Sequence, residues 1–338
     1  LLALHDAVFI LALSFSATDW LALLPLLALG GLVYVLAVVG FLLHRLTHPT
    51  RRTFGVALAQ GRPADPSQLA PSRAFTSFEF SHEGKKLIAW DVPGDAAQGP
   101  ICVLTHGFGD SKLGGLSRVH ALLPSCSRAV MWDMQGHGES EGTSTQGTHE
   151  VHALLTLIRM LPTDREIVLY GWSMGAGVSL VAAVLLQEER AKCEQASDVK
   201  AVSPRIKGLV LESPYRFAAT PARNVLQTVG FPTGVLLSIA LALIPARTRV
   251  GGLSLKPAAF DRGAWAARLG KQVPVLVLHG AADHVSPIAD GEAIAHACGG
   301  KLVTLAEGGH FGLWTDDRWR QTCERVVDEW MNSSPVKL

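Results

Sequence analysis

The stretch EIVLYGWSMGAGVSL, Glu166 to Leu180, constrains the fold of this chain more than any other. A short apolar run leads into Gly-Trp-Ser-Met-Gly, and small and apolar residues follow. Five other runs have the same character: ICVLT (101–105), RAVMW (128–132), GLVLE (208–212), PVLVLHG (274–280) and KLVTL (301–305). Such runs, apolar on both faces, suit central parallel strands covered by helices. Helical candidates lie between them at 114–123, 147–160, 174–191, 287–297 and 315–331. This alternation predicts an α/β fold with a mostly parallel, doubly wound sheet. Ahead of it, FTSFEFSH and KKLIAWDV predict a hairpin turning at Glu83-Gly84.

In an open parallel sheet, ligands bind at the carboxyl ends of the strands. Ser173 lies just past one such end and directly before a helix. Gly171 and Gly175 lack side chains that would collide where the backbone doubles back. The amide of Met174 then heads a helix, where it can donate to a developing oxyanion with help from the helix dipole. A serine hydroxyl is a weak nucleophile and needs a base within hydrogen-bond reach. For a serine on this kind of turn, the expected chain order is serine, acid, histidine. LAEGGHFGLW offers His310 after KLVTL, and LVLHGAADHVSP offers Asp283 after its own strand. Asp283 would fix the imidazole tautomer and stabilise imidazolium. Glu212 is an alternative acid, since it also ends a strand. His279 and His284 are read as structural, and Asp290 as a solvated helix residue. The loop HGFGDS after ICVLT should supply a second oxyanion donor, the amide of Phe108, with His106 holding the loop. MWDMQGHGES offers Asp133, His137, Glu139 and Ser140 either to a metal or to a turn, and a Gly-His-Gly turn braced by Asp133 and Ser140 is the expectation.

Composition points to a membrane segment as well. Hydrophobic residues make up 48% of the chain and charged residues 17%, with a mean hydropathy of +0.26. That is too apolar for an ordinary soluble protein. Trp20 to Leu43 carries no charge, and as a helix it would reach about 36 Å, enough to cross a hydrocarbon core of about 30 Å. Pro25 and Gly30-Gly31 are tolerated in membrane helices. Residues 1–17 are a shorter second candidate and contain His5 and Asp6. A cleaved signal peptide fits badly, because there is no basic leader and no small-residue cleavage site after Leu43. Arg45, Arg51 and Arg52 follow the span and Asp19 precedes it, so the positive-inside rule places the remainder in the cytoplasm.

The expected organisation is therefore an anchor (1–46), a linker (47–74) and an α/β domain (75–335). Residues 192–205 read as a polar surface excursion. Residues 213–272 form a long insertion containing FPTGVLLSIALALIP (231–245). That run is too short to span comfortably and could be a lid helix, an interfacial contact or core. A net charge of +1 and a pI of about 7.9 give no field for nucleic acid. The five cysteines are scattered without zinc spacing and read as free thiols in a reducing compartment. No metal or cofactor is expected.

HGFGDS, DMQGHGES, GWSMGAG, HGAADHVSP and GGHFGLW, in this order, resemble the α/β-hydrolase fold family. The likeness covers about residues 75–335 and is nearest to the monoacylglycerol-lipase and serine-aminopeptidase-like branch, including its membrane-anchored members. It implies Ser173 as nucleophile, Asp283 as acid and His310 as base, with the Phe108 and Met174 amides as oxyanion hole. It also implies a helical cap after the sixth strand, where residues 213–272 fall. The N-terminal apolar segment departs from many soluble members. The expectation is a membrane-anchored serine hydrolase of carboxylic esters, acting on lipid-like or acyl substrates at a bilayer. The rivals are a peptidase or amidase with the same three residues, and a non-catalytic scaffold. The insertion holds one acid, Asp261, which argues against recognition of a free amine. Carboxylate-nucleophile chemistry is disfavoured because the turn position holds serine.

Overall fold

The structure, a computed structural model, describes residues 17–195, 205–231, 234–245, 249–250 and 252–333. The second candidate span at 1–17 and most of the polar excursion at 192–205 lie outside the described residues, Ala17 and 192–195 and Arg205 excepted.

Five of the six apolar runs form the centre of an eight-stranded sheet. KLVTL, expected to be central, is instead its edge strand, with Lys301 and Thr304 exposed because no further strand among the described residues covers that side. β1 (Thr76–His82) and β2 (Lys85–Pro93) are an antiparallel hairpin, with Glu83 and Gly84 at positive φ in the turn. β3 (Ile101–Thr105), β4 (Arg128–Trp132), β5 (Ile167–Trp172), β6 (Ile206–Glu212), β9 (Val275–Gly280) and β10 (Lys301–Leu305) are mutually parallel. The order is β1-β2-β4-β3-β5-β6-β9-β10, with β2 antiparallel to β4. Every residue of β3, β5 and β9 is buried. Their side chains alternate between two cores, as a period of two requires: Ile101 and Val103 face one side, Cys102 and Leu104 the other.

Helices cover both faces. α3 (Leu116–Leu122) and α10 (Asp317–Asn332) pack against one. α4 (His149–Arg159), α5 (Met174–Gln195), α8 (Arg262–Leu269) and α9 (Ile288–Cys298) pack against the other. Asp261 and Asp316 cap α8 and α10 by accepting the Gly263 and Arg318 amides.

The insertion contains α6 (Ala219–Thr228), α7 (Val235–Leu243), a short hairpin of β7 (Arg249–Val250) and β8 (Leu253–Ser254), and then α8. The run 231–245 is thus helical over its middle. Leu237, Ala240 and Leu241 are buried, whereas Val235, Ile239 and Leu243 are exposed.

α1 (Ala17–Thr47) is long and apolar enough to cross a membrane. Leu21 to Ala37 is exposed apart from half-buried Leu23. Beyond it the helix joins the domain. Val38, Val39, Leu42 and Leu46 are buried in the same core as Leu237, Ala240 and Leu241 of α7, and the Phe41 and Phe231 rings lie 5.2 Å apart. The Leu46 and Thr47 carbonyls accept hydrogen bonds from Gln146 Nε2 (2.7 Å) and the Ser144 amide (2.8 Å). These two are among the orphan carbonyls of a helix C-terminus, satisfied here by the domain itself. The expected linker is not featureless either. It contains a six-residue helix, α2 (Phe54–Ala59), and Arg73 pairs with Asp95.

Candidate active site

Ser173 sits between the end of β5 and the start of α5 with φ at +53°. A non-glycine residue in the left-handed region is strained, and such strain persists where the surroundings over-determine it. Here the Ser173 amide donates to the Glu212 carbonyl at 2.8 Å, tying the turn to β6. The flanking glycines are steric necessities. A Cβ on Gly171 would collide with the Gly175 carbonyl oxygen, and one on Gly175 with the carbonyl oxygens of Thr105 and His106.

His310 and Asp283 converge on this turn from two other strand ends. His310 Nε2 lies 3.0 Å from Ser173 Oγ, and His310 Nδ1 lies 2.8 Å from Asp283 Oδ2. Asp283 is buried in the turn after β9, and its Oδ1 accepts the amides of Val285 (2.9 Å) and Ser286 (2.7 Å). Burial pushes this carboxyl up, but hydrogen bonds from His279, His310 and the Ser286 amide outweigh it and hold the carboxyl below the usual carboxylate range. An ionised Asp283 makes Nδ1 the donating nitrogen of a neutral His310 ring. Nε2 is then left as an acceptor facing the Ser173 hydroxyl.

The structure separates the remaining candidates. Glu212 is not available as the acid. Its carboxylate accepts from Arg118 Nε and Nη2 (2.8 and 2.6 Å), Tyr170 Oη (2.7 Å) and Trp314 Nε1 (2.9 Å). Burial works against the Arg118 charge, but the adjacent Glu212 raises its pKa above the ordinary value. His279 is fully buried, 2.8 Å from the Ser286 carbonyl through Nε2 and 3.5 Å from Asp283 Oδ2, so it braces the Asp283 turn. His284 is exposed. Asp290 is not merely solvated, since it accepts the Arg216 amide at 3.0 Å.

His106 accepts the Met134 amide at Nε2 (2.9 Å) and lies 2.7 Å from the Gly107 carbonyl through Nδ1, linking two loops of the site. Burial lowers its pKa, which keeps it neutral in that role. In the 133–140 turn, Asp133 receives the backbone and side-chain nitrogens of Lys112 (2.7 and 2.6 Å) and the Glu139 amide (2.9 Å), while Ser140 Oγ donates to the Asp133 carbonyl. Among the described residues no cluster of His, Cys, Asp and Glu is arranged to hold a metal.

The loop after β3 lies directly against the serine, since a Cβ on Gly107 would stand 3.2 Å from Ser173 Cβ. Phe108 follows, with its ring edge-on to His137 at 5.6 Å. The Met174 amide opens α5 on the other side of Ser173. Sequence reasoning missed Arg118, Tyr170 and Trp314 around Glu212, and Asp110 beside Trp172. The one signal for them was the placement of Glu212 at the end of β6 and of Asp110 in the loop that follows β3.

A mostly parallel sheet with an antiparallel leading hairpin, flanking helices and a serine on the sharp turn after β5 defines an α/β hydrolase architecture. Residues 102–325 match the alpha/beta hydrolase family, and the chain belongs to that family. A search among curated protein sequences finds no match. Several solved structures share the fold. An esterase of Pyrococcus furiosus aligns with a TM-score of 0.57 at 17% identity, covering 84% of this chain and 100% of its own. A hydrolase of Pseudomonas aeruginosa aligns with 0.51 at 23% identity, covering 78% and 100%. A bacterial membrane phospholipase A described as a virulence factor aligns with 0.55 at 16% identity, covering 90% and 99%.

Proposed function

We propose that this chain is a membrane-anchored serine hydrolase that cleaves carboxylic esters of lipid-like or acyl character. The observation that carries the reading is the continuous hydrogen-bonded line from Ser173 Oγ through the His310 ring to Asp283. In this reading His310 Nε2 takes the Ser173 proton as Oγ attacks the ester carbonyl. The tetrahedral oxyanion is held by the Phe108 and Met174 amides. His310 then protonates the leaving alcohol, and water, deprotonated by the same ring, releases the acyl group from Ser173. Asp283 stays ionised throughout and stabilises the imidazolium.

The lipid preference is supported by α1, which brings the domain to a bilayer, and by the exposed rings of Phe108 and Phe311 beside the reacting groups. An esterase and a membrane phospholipase A among structures of the same fold are consistent with it. Arg45, Arg51 and Arg52 after the span favour a cytoplasmic domain. An amidase reading is weaker because Asp261, the one acid of the insertion, is engaged by Arg216 Nη2 at 2.8 Å.

The test is turnover of short acyl p-nitrophenyl esters by wild type and Ser173→Ala, alongside labelling by a fluorophosphonate. Wild type should turn over and label. The variant should do neither, with a loss of up to about 10⁶-fold by analogy with another serine triad. Undiminished hydrolysis by Ser173→Ala would sink the assignment. Faster cleavage of aminoacyl-amides than of acyl esters would shift it to the amidase.

A further inference from the structure

The segment that follows the apolar helix reaches into the site. Arg52 Nη1 donates to Asp110 Oδ1 at 2.8 Å, and Trp172 Nε1 donates to Asp110 Oδ2 at 3.1 Å. The Ser111 amide adds a third donor, 2.9 Å from Oδ1. One carboxylate therefore joins three places: the residues just after α1, the loop bearing Phe108, and the residue immediately before Ser173. The Asp110 amide also donates to the Gly107 carbonyl at 3.2 Å, closing a turn around Phe108 and Gly109, the latter at φ +71°. The neighbouring Arg51 donates through Nη1 to the carbonyls of Ser140 (2.6 Å) and Gly138 (3.2 Å), and His137 of that turn packs edge-on to the Phe108 ring.

We propose that Arg52 and Asp110 are positioning residues that aim the Phe108 amide at the oxyanion, so that the stretch joined to the apolar helix is part of the catalytic apparatus. This rests on the serine-hydrolase reading above. The pair is partly exposed, with 41% of the Arg52 side chain accessible and 16% of Asp110. An ion pair so open to water adds little to stability. What it supplies is direction. The Gly107–Asp110 turn has flexible glycines on both sides of Phe108, and Asp110 is its fixed end. Loss of one oxyanion donor costs roughly 10²–10³ in kcat, and a small misplacement costs part of that.

The experiment uses the full chain in detergent with a soluble short-chain ester, and rates are normalised to active sites titrated with a fluorophosphonate. Arg52→Ala should lower kcat per titrated site about tenfold with KM nearly unchanged, since the interaction acts in the transition state. Arg52→Lys should recover most of the rate. Asp110→Asn should lose a similar factor, and the double variant should be no worse than either single one. Affinity for a boronic acid, which mimics the tetrahedral intermediate, should fall by the same factor as kcat/KM. A pair that only supported the fold would lower the melting temperature or the titratable fraction and leave kcat per site intact, and that result overturns the proposal. So would additive losses in the double variant. If wild type hydrolyses no ester, or Ser173→Ala is undiminished, the functional reading itself has failed. If wild type is active and Ser173→Ala is dead while Arg52→Ala is unaffected, only this inference has.

Discussion

Asp283 and Glu212 both follow or end neighbouring strands, both are buried, and their surroundings give them different tasks. Asp283 turns one oxygen to its own turn and the other to His310, whereas Glu212 spends both oxygens on Arg118, Tyr170 and Trp314. Asp283→Asn should therefore cut kcat by about 10⁴-fold, by analogy with the tautomer loss in a serine protease, with the protein still folded. Glu212→Ala should leave Arg118 charged and unpaired in the core, costing about 3–5 kcal/mol in a denaturant titration. Wild type and Asp283→Asn should also differ in how their stability responds to pH. The folded-state pKa of Asp283 lies below the unfolded value of about 3.9. Its ionisation adds stability that is complete above the unfolded value and is lost as pH falls through the folded one. Denaturation midpoints of wild type should drop more steeply below about pH 5 than those of Asp283→Asn. Ser173, His310 and Asp283 could be picked out in the sequence because each follows a strand, in the chain order expected when the serine sits on this kind of strand-to-helix turn. The sequence favoured Asp283 but kept Glu212 as an alternative acid, because the partner that occupies Glu212, Arg118, is far away in the chain and on α3.

At the scale of elements, the sheet was legible because buried parallel strands leave an unmistakable mark: runs such as ICVLT and VLVLHG with no polar face. Helix and strand ends moved by a few residues, as at β5, which extends through Trp172. Less was readable where packing, not local pattern, decides. Three prolines made 53–74 look like a linker and hid α2. The run 231–245 is apolar but for Thr233 and Ser238, and two small polar residues are too few to mark the face that meets α1 from the face left open. The structure makes that distinction testable. Leu237→Ala and Leu241→Ala should each destabilise the protein by about 2–5 kcal/mol, whereas Val235→Ser, on the exposed side, should change stability by no more than about 0.5 kcal/mol. Thermal or denaturant unfolding of the three variants reads the contrast.

For the molecule as a whole, α1 makes extraction behaviour the informative measurement. The chain should stay with membranes through an alkaline carbonate wash and come off in detergent. Its thiols report on the integrity of the body after that treatment. Cys102, Cys126, Cys298 and Cys323 are buried and unbridged, and burial pushes the Cys323 thiol up to about 12. Titration of the native protein with a thiol reagent should show one rapidly reacting cysteine, half-exposed Cys193, and all five only after unfolding. The path of α1 has a practical corollary. From Leu21 to Ala37 the helix is almost wholly exposed, but from Val38 onward it is a wall of the folded body, with its last carbonyls already spoken for by Gln146 and Ser144. A shortened, water-soluble version should begin near Val38. Cutting instead where the apolar run ends would strip the greasy side of α7 bare and leave a body that aggregates.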